Sequence, residues 1–216
     1  MELYHILNRG VDKREVVAND KDRVRFIHDL YALNDAGRSI NFTQPERRDD
    51  MIRDRDLLVQ IHAYCLMGNH YHLLVSEVAE RGISLFMQKF NMGYSKYFNE
   101  RYKRTGALWQ GKYKKIPVAR DAHFNYVPYY IHLNPLDFVA PEWRHGRVAN
   151  FRKALQYLEE YRWSSHLDYL GIRNFPSVID RSVLQDIFGT KARYEKEIRN
   201  ITSDAYLMSR SYLIEK

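Results

Sequence analysis

The sequence is short of the residues that staple or punctuate a chain: 216 residues include one cysteine, Cys65, with six prolines and ten glycines. A single thiol excludes an intramolecular disulfide and any Cys-x-x-Cys zinc site, and it fits a reducing compartment. Lying between Tyr64 and Leu66 in an apolar run, Cys65 reads as a small buried hydrophobe. No apolar run approaches the roughly 18 residues of a transmembrane helix. The start, MELYHILNRG, lacks the apolar stretch of a secretory leader. A soluble, cytoplasmic protein with no membrane partner is expected. Stretches of Gly/Ser-rich or Pro-rich low complexity are also missing. Hydrophobic residues make up 45% and aromatic residues 14%, so the composition supports a packed core.

Acidic residues are the next shortage. Lys and Arg number 34 against 27 Asp and Glu, a net charge of +7. From Arg101 to Arg120, RYKRTGALWQGKYKKIPVAR, seven basic residues meet no acidic one, so this segment alone carries an excess equal to that of the chain. Tyr102, Trp109 and Tyr113 are interleaved with the cations. Rings stack on bases while cations meet phosphates, so the run points to a nucleic-acid partner; a solvated strand edge is its plainer reading.

What is present patterns into alternating elements. LYHILNRG, residues 3 to 10, reads as a strand, and KREVV, residues 13 to 17, as a return strand pairing back on it. Asn19 and Asp20 are cap candidates for a helix with Val24, Ile27, Leu30, Tyr31 and Leu33 on its apolar face, closed near Gly37. Residues 38–56, rich in Arg and Asp, read as a polar insertion. Along LLVQIHAYCLM, residues 57 to 67, Val59, Ile61, Ala63, Cys65 and Met67 alternate on one face of a strand. Gly68 and Asn69 turn it into HYHLLVSEV, an antiparallel hairpin. A long helix over 83–103 carries an aromatic stripe of Phe86, Phe90, Tyr94, Tyr97 and Phe98, which reads as core. LWQGKYKKIPV is a further strand, and DAHFNYVPYYIHLNP a helix ending near Asn134, since Pro135 restricts its predecessor. Pro128 should start, kink or interrupt that helix. The order implies an α+β, ferredoxin-like (RRM-like) antiparallel sheet with helices packed on one face. Residues 1–140 would form this domain and 141–216 a mostly helical C-terminal extension.

The chemistry-bearing stretch is GNHYHLLV, residues 68 to 75. On a strand, His70 and His72 stand side by side on one face, either as ligands for a divalent ion or as paired polar or stacked core histidines. With no His-x-Glu followed by a cysteine pair, the nucleobase-deaminase pattern is excluded. In YYIHLNP, Tyr130 and Asn134 are four apart on one helical face, so a phenol and a carboxamide approach the same centre. Among 17 tyrosines, packing is the ordinary role of any one.

The stretches YHILNRG, HAYCLMGNHYHLLV, YSKYFNERYKRTGALWQGKYK, YIHLNP and YRWSSHLDYLG, in this order from about residue 3 to 171, resemble the HUH single-tyrosine (IS200-like) transposases, most closely the REP-associated tyrosine transposase branch. The HUH element falls on His70, Tyr71 and His72, with Tyr in place of the usual greasier middle residue. The resemblance implies cleavage and rejoining of single-stranded DNA beside hairpins. It implies a Mg²⁺ or Mn²⁺ ion held by His70, His72 and Asn134, and attack by Tyr130 to leave a 5′-phosphotyrosine. Tyr126 and Tyr129 are the competing phenols. Arg9, Arg101, Lys103, Arg104, Trp109, Gln110, Lys112, Tyr113, Lys114 and Lys115 are the expected DNA contacts, Trp109 and Tyr113 by stacking. Either a monomer or a homodimer fits. Other readings are a hairpin-DNA binder that has lost its chemistry and an RNA-binding α+β protein.

Overall fold

The computed structural model describes residues 1–37, 55–118 and 121–203, the side chains of 121–125 excepted. The expected insertion 38–56 lies, but for Arg55 and Asp56, outside the described residues. Four strands, β1 (Leu3–Arg9), β2 (Val59–Leu66), β3 (His70–Glu77) and β4 (Lys114–Pro117), form one sheet of order β2-β3-β1-β4. All its pairings are antiparallel. With α1 (Asp20–Ala32) between β1 and β2, and α2 (Gly82–Arg101) between β3 and β4, this is the ferredoxin-like β-α-β-β-α-β arrangement expected from the sequence.

Local chemistry accounts for these elements. Asn19 caps α1, its side chain accepting from the Lys21 and Asp22 amides. The helix buries Phe26, Ile27 and Leu30, while Val24, placed on the apolar face by the periodicity, is 48% exposed. Phe86, Phe90, Tyr94 and Phe98 recur at i+4 along α2 and are buried against α1 and the sheet. Each contributes about 1.5–3 kcal/mol by burial, which outweighs the indifferent helix propensity of aromatic residues. Gly82 starts α2 because a Cβ there would meet the Leu58 carbonyl oxygen at 2.0 Å.

Three expectations change. KREVV does not pair back on β1; the Val16 amide instead donates to the Gly68 carbonyl at 2.8 Å, docking the segment on the β2–β3 turn. β4 is only four residues long, and the chain before it joins the sheet through a single bridge between Trp109 and Gly10. The residues expected on one face of β2 divide between two cores. A register shift between Ile61 and Ala63 leaves Val59 and Ile61 on the α1/α2 side but turns Ala63, Cys65 and Met67 to the opposite face. One extra residue in a strand inverts every later side chain.

With α1 and α2 packed on one face as expected, the second face is not open either. It is covered by α3 (Asp121–Leu133) and, over α3, by α4 (Phe151–Glu160), α6 (Ser182–Phe188) and α7 (Lys191–Ser203). Leu158, Leu184, Phe188, Tyr194 and Ile198 fill this second core. The YRWSSHLDYLG stretch, which includes the short helix α5 (His166–Tyr169), runs along the outer edge of β2. The Leu66 amide donates to the Trp163 carbonyl and the Ser165 amide to the Tyr64 carbonyl, so an edge strand is closed off. Among the described residues no helix is long and apolar enough to cross a membrane.

Candidate active site

Strand alternation sets the site. On β3, Tyr71, Leu73 and Val75 enter the α1/α2 core, so His70 and His72 face the side that α3 covers. Tyr71 is fully buried, packed on Phe26 and Trp109. The middle residue of the motif is thus an anchor, and its polar hydroxyl is satisfied by donation to Asn91 Oδ1 at 3.1 Å.

His72 is buried and His70 partly exposed, with ring centroids 5.1 Å apart. His70 Nδ1 lies 2.6 Å from Asn69 Oδ1. His72 Nδ1 lies 2.9 Å from Nε2 of His5, on the neighbouring strand β1, while His72 Nε2 is buried with no hydrogen-bond partner among the described residues. In the tautomer that donates from His72 Nδ1 to His5 Nε2, the His72 Nε2 lone pair is available to a ligand. Burial, followed by the charges of His70, His5, Arg144 and Arg9, holds the His72 pKa well below its usual range. The ring stays neutral, as a ligand must be.

Both histidines open onto a cavity of about 390 Å³, lined also by Leu7, Asn8, Arg9, Gln110, Lys112 and Lys114. Four of the expected DNA contacts, Arg9, Gln110, Lys112 and Lys114, are therefore gathered at the histidine pair. The others lie elsewhere. Arg101 pairs with Asp22 at 3.2 Å, Arg104 donates to Asn99 Oδ1 at 2.8 Å, and Lys115 points to the opposite face beside Tyr4 and Glu77. Lys103 is exposed at the end of α2, and Tyr113 is half-buried beside a groove along that helix. Trp109 corrects the stacking expectation: it is 7% exposed, packs on Tyr71 and Tyr94, and offers no open face to a base.

Helix α3 is continuous through Pro128, which therefore neither starts nor interrupts it, and gives way to a 3-10 turn only at Asn134–Phe138. Tyr130 consequently reaches the histidines, its ring centroid 5.7 Å from His72 and 6.2 Å from His5. Tyr129 faces away into the second core against Phe188 and Tyr194, and burial pushes its phenol up to about 12. Tyr126 lies one turn back, its centroid 6.0 Å from Tyr130. Asn134 is buried and is not among the cavity-lining residues; its Nδ2 donates to the Tyr130 carbonyl at 2.8 Å.

Sequence reasoning missed Arg144. Beyond α3, on the turn Pro141–His145, it donates to Tyr130 Oη at 3.0 Å and to Asn134 Oδ1 at 3.1 Å. It missed His5 as well, although YHILNRG contains it. Only the strand pairing, which places His5 beside β3, supplies the signal.

Residues 52–134 match the family described as Transposase IS200 like. Among solved structures the chain is similar to one described as "Structure of the REP associates tyrosine transposase bound to a REP hairpin". The TM-score is 0.45 and the identity 10%, over 84% of this chain and 86% of that one. Comparison with the curated proteins finds no match.

Proposed function

We propose that this chain, whose residues 52–134 match the IS200-like transposase family, cleaves and rejoins single-stranded DNA beside hairpins through a covalent bond to Tyr130. The observation that carries the reading is the approach of Tyr130, on α3, across 58 residues of sequence, to His72 on β3, which itself lines a cavity with Arg9, Lys112 and Lys114.

The residues fit a divalent ion. His72 Nε2 is an orphaned buried donor atom aimed from a neutral ring, and the His5 contact orients it as a metal-bound imidazole is usually oriented. Among the described residues no three of His, Cys, Asp and Glu gather at one point, so the ligand set we propose is His70, His72 and the carboxamide of Asn134. Mg²⁺ or Mn²⁺ held there would polarise the scissile phosphate; imidazole donors favour Mn²⁺.

The chain's own residues do the rest. Arg9, Lys112 and Lys114 hold the backbone phosphates. Tyr130 Oη bonds to phosphorus as the bond to O3′ breaks; the phenolic proton leaves to solvent, and O3′ takes up a proton to become a hydroxyl. The phosphotyrosine conserves the ester for rejoining. Residues 1–140 would carry the nucleophile, the metal ligands and the phosphate contacts, and 141–216 an extension whose described helices pack against α3.

The test is covalent capture of a hairpin-bearing single-stranded oligonucleotide with Mn²⁺. Wild type should yield an adduct stable to denaturing electrophoresis and Tyr130→Phe none. Adduct formation by Tyr130→Phe at the wild-type level would move the nucleophile elsewhere.

A further inference from the structure

The pattern of YYIHLNP leads to Tyr130 and Asn134 but not to the side chain that joins them. Arg144 sends Nη1 to Tyr130 Oη and Nη2 to Asn134 Oδ1, at 3.0 and 3.1 Å. Its orientation is fixed from the other side. Nε donates to Asp137 Oδ1 at 2.8 Å and Nη2 to Asp137 Oδ2 at 2.7 Å, and the same carboxylate accepts from Trp143 Nε1 at 2.7 Å. The guanidinium also lies 4.9 Å from the Trp143 ring centroid. A planar fork braced by a carboxylate and an aromatic ring is a device that lysine cannot reproduce in geometry, only in charge. Burial opposes that charge, but the hydrogen bonds to Asp137 and Tyr130 outweigh it and hold the Arg144 pKa above its ordinary range.

Resting on the reaction just described, we propose that Arg144 is a catalytic residue: its guanidinium fixes the Tyr130 oxygen as an acceptor and stabilises the charge this oxygen carries entering and leaving the phosphodiester. In cleavage the Oη–P bond forms while the P–O3′ bond breaks, and O3′ keeps the electron pair. Rejoining reverses this, and the pair returns to Tyr130 Oη. In both directions the phenolic oxygen bears negative charge at partial bonding. A donor already in place meets that charge without reorganisation. Arg144 takes and gives no proton. Access points the same way: Tyr130 is 1% exposed, whereas the Arg144 side chain is 29% exposed. A phosphate approaching Oη from solvent therefore comes within reach of this guanidinium first.

The experiment uses the full chain, a pool of single-stranded oligonucleotides with one fixed hairpin and randomised flanks, and saturating Mn²⁺. Single-turnover adduct formation is followed beside DNA affinity and melting temperature for wild type, Tyr130→Phe, Arg144→Ala and Arg144→Lys. Arg144→Ala should slow the step on the order of 100-fold, the usual effect of deleting one such donor, with DNA affinity little changed. Arg144→Lys should recover part of the loss, and millimolar guanidinium ion should accelerate Arg144→Ala but not wild type. An unchanged or faster Arg144→Ala overturns the proposal, the faster outcome making Arg144 a latch on the nucleophile. So does a loss that neither lysine nor guanidinium relieves, which makes Arg144 scaffolding only. Wild type without adduct overturns the underlying reaction and this inference with it; an adduct formed equally by wild type and Arg144→Ala overturns this inference alone.

Discussion

At the scale of single residues, the candidate site depends on side chains with no pattern of their own. His5 and His72 share one hydrogen bond of 2.9 Å, and outer-shell partners of this kind typically change metal affinity 10- to 100-fold when removed. His5→Ala should therefore raise the Mn²⁺ needed for half-maximal adduct formation by about that factor, with hairpin binding in the absence of metal unaltered. An unchanged Mn²⁺ requirement would remove His5 from the site. The pairs His70/His72 and Tyr130/Asn134 were legible in the sequence as same-face neighbours, through the strand and helix periodicities; their selection as a site came from the family resemblance. Neither His5 nor Arg144 was legible, because each reaches its partner through tertiary structure alone. His5 meets His72 through the β1–β3 pairing, 67 residues apart, and Arg144 meets Tyr130 through the folding back of the turn after α3. The ordinary local signals around EWRHG say nothing of a phenol 14 residues earlier.

At the scale of elements, the sheet and its long helices follow from alternation and the i+4 aromatic stripe, while the departures come from single residues that act on geometry. The shift in β2 between Ile61 and Ala63 divides an unbroken apolar alternation between two cores. No sequence pattern marks an extra residue in such a run, since both faces of the strand are apolar. Pro128 illustrates the reverse: a helix breaker by local rules sits inside α3, which stays helical because its buried face is held on β2 and β3. Trp109 was assigned to DNA from its basic neighbourhood, yet the turn before β4 tucks it beneath Tyr71 and Tyr94, with its indole N–H donating to the Asn91 carbonyl at 3.3 Å. Trp109→Ala should cost about 3–5 kcal/mol of stability, read as a lowered urea midpoint. A stable variant with weakened DNA binding would return Trp109 to the stacking role.

At the scale of the whole molecule, two cores share one sheet, and the second joins α3 to the C-terminal segment by a buried polar chain. His132 Nδ1 and His166 Nδ1 lie 2.7 and 2.8 Å from Tyr194 Oη, and His132 Nε2 lies 2.7 Å from Ser165 Oγ. Burial keeps both imidazoles neutral, His132 well below its usual pKa and His166 at about 3. Both folded-state values lie beneath the unfolded value near 6.5. Above that pH neither state takes up protons at these sites. Below it the unfolded chain binds protons that the folded chain refuses, so stability falls on acidification by about 1.4 kcal/mol per pH unit for each histidine. Melting temperature should decline from pH 6.5 towards pH 4, and His166→Gln should flatten the decline; a profile level over that range would show that these rings are not held neutral.

The same architecture sets how far residues 1–140 stand alone. The face of the sheet presenting Ala63, Cys65, Met67 and Leu74 is covered by α3, and α3 in turn by Trp143, Leu158, Leu184, Phe188, Tyr194 and Ile198, all from beyond residue 140. These six large side chains contribute about 1.5–3 kcal/mol each by burial, a sum comparable with the 5–15 kcal/mol net stability of an ordinary domain. A chain ending at residue 140 also leaves Tyr129 without Phe188 and Tyr194, and Tyr130 without Arg144. Residues 1–140 made alone should therefore lose cooperative unfolding and bind a hydrophobic dye, although their β-α-β-β-α-β pattern is complete. A sharp urea transition for that fragment, with native-like near-ultraviolet dichroism, would show that the α1/α2 core suffices and that the C-terminal helices serve the site rather than the fold.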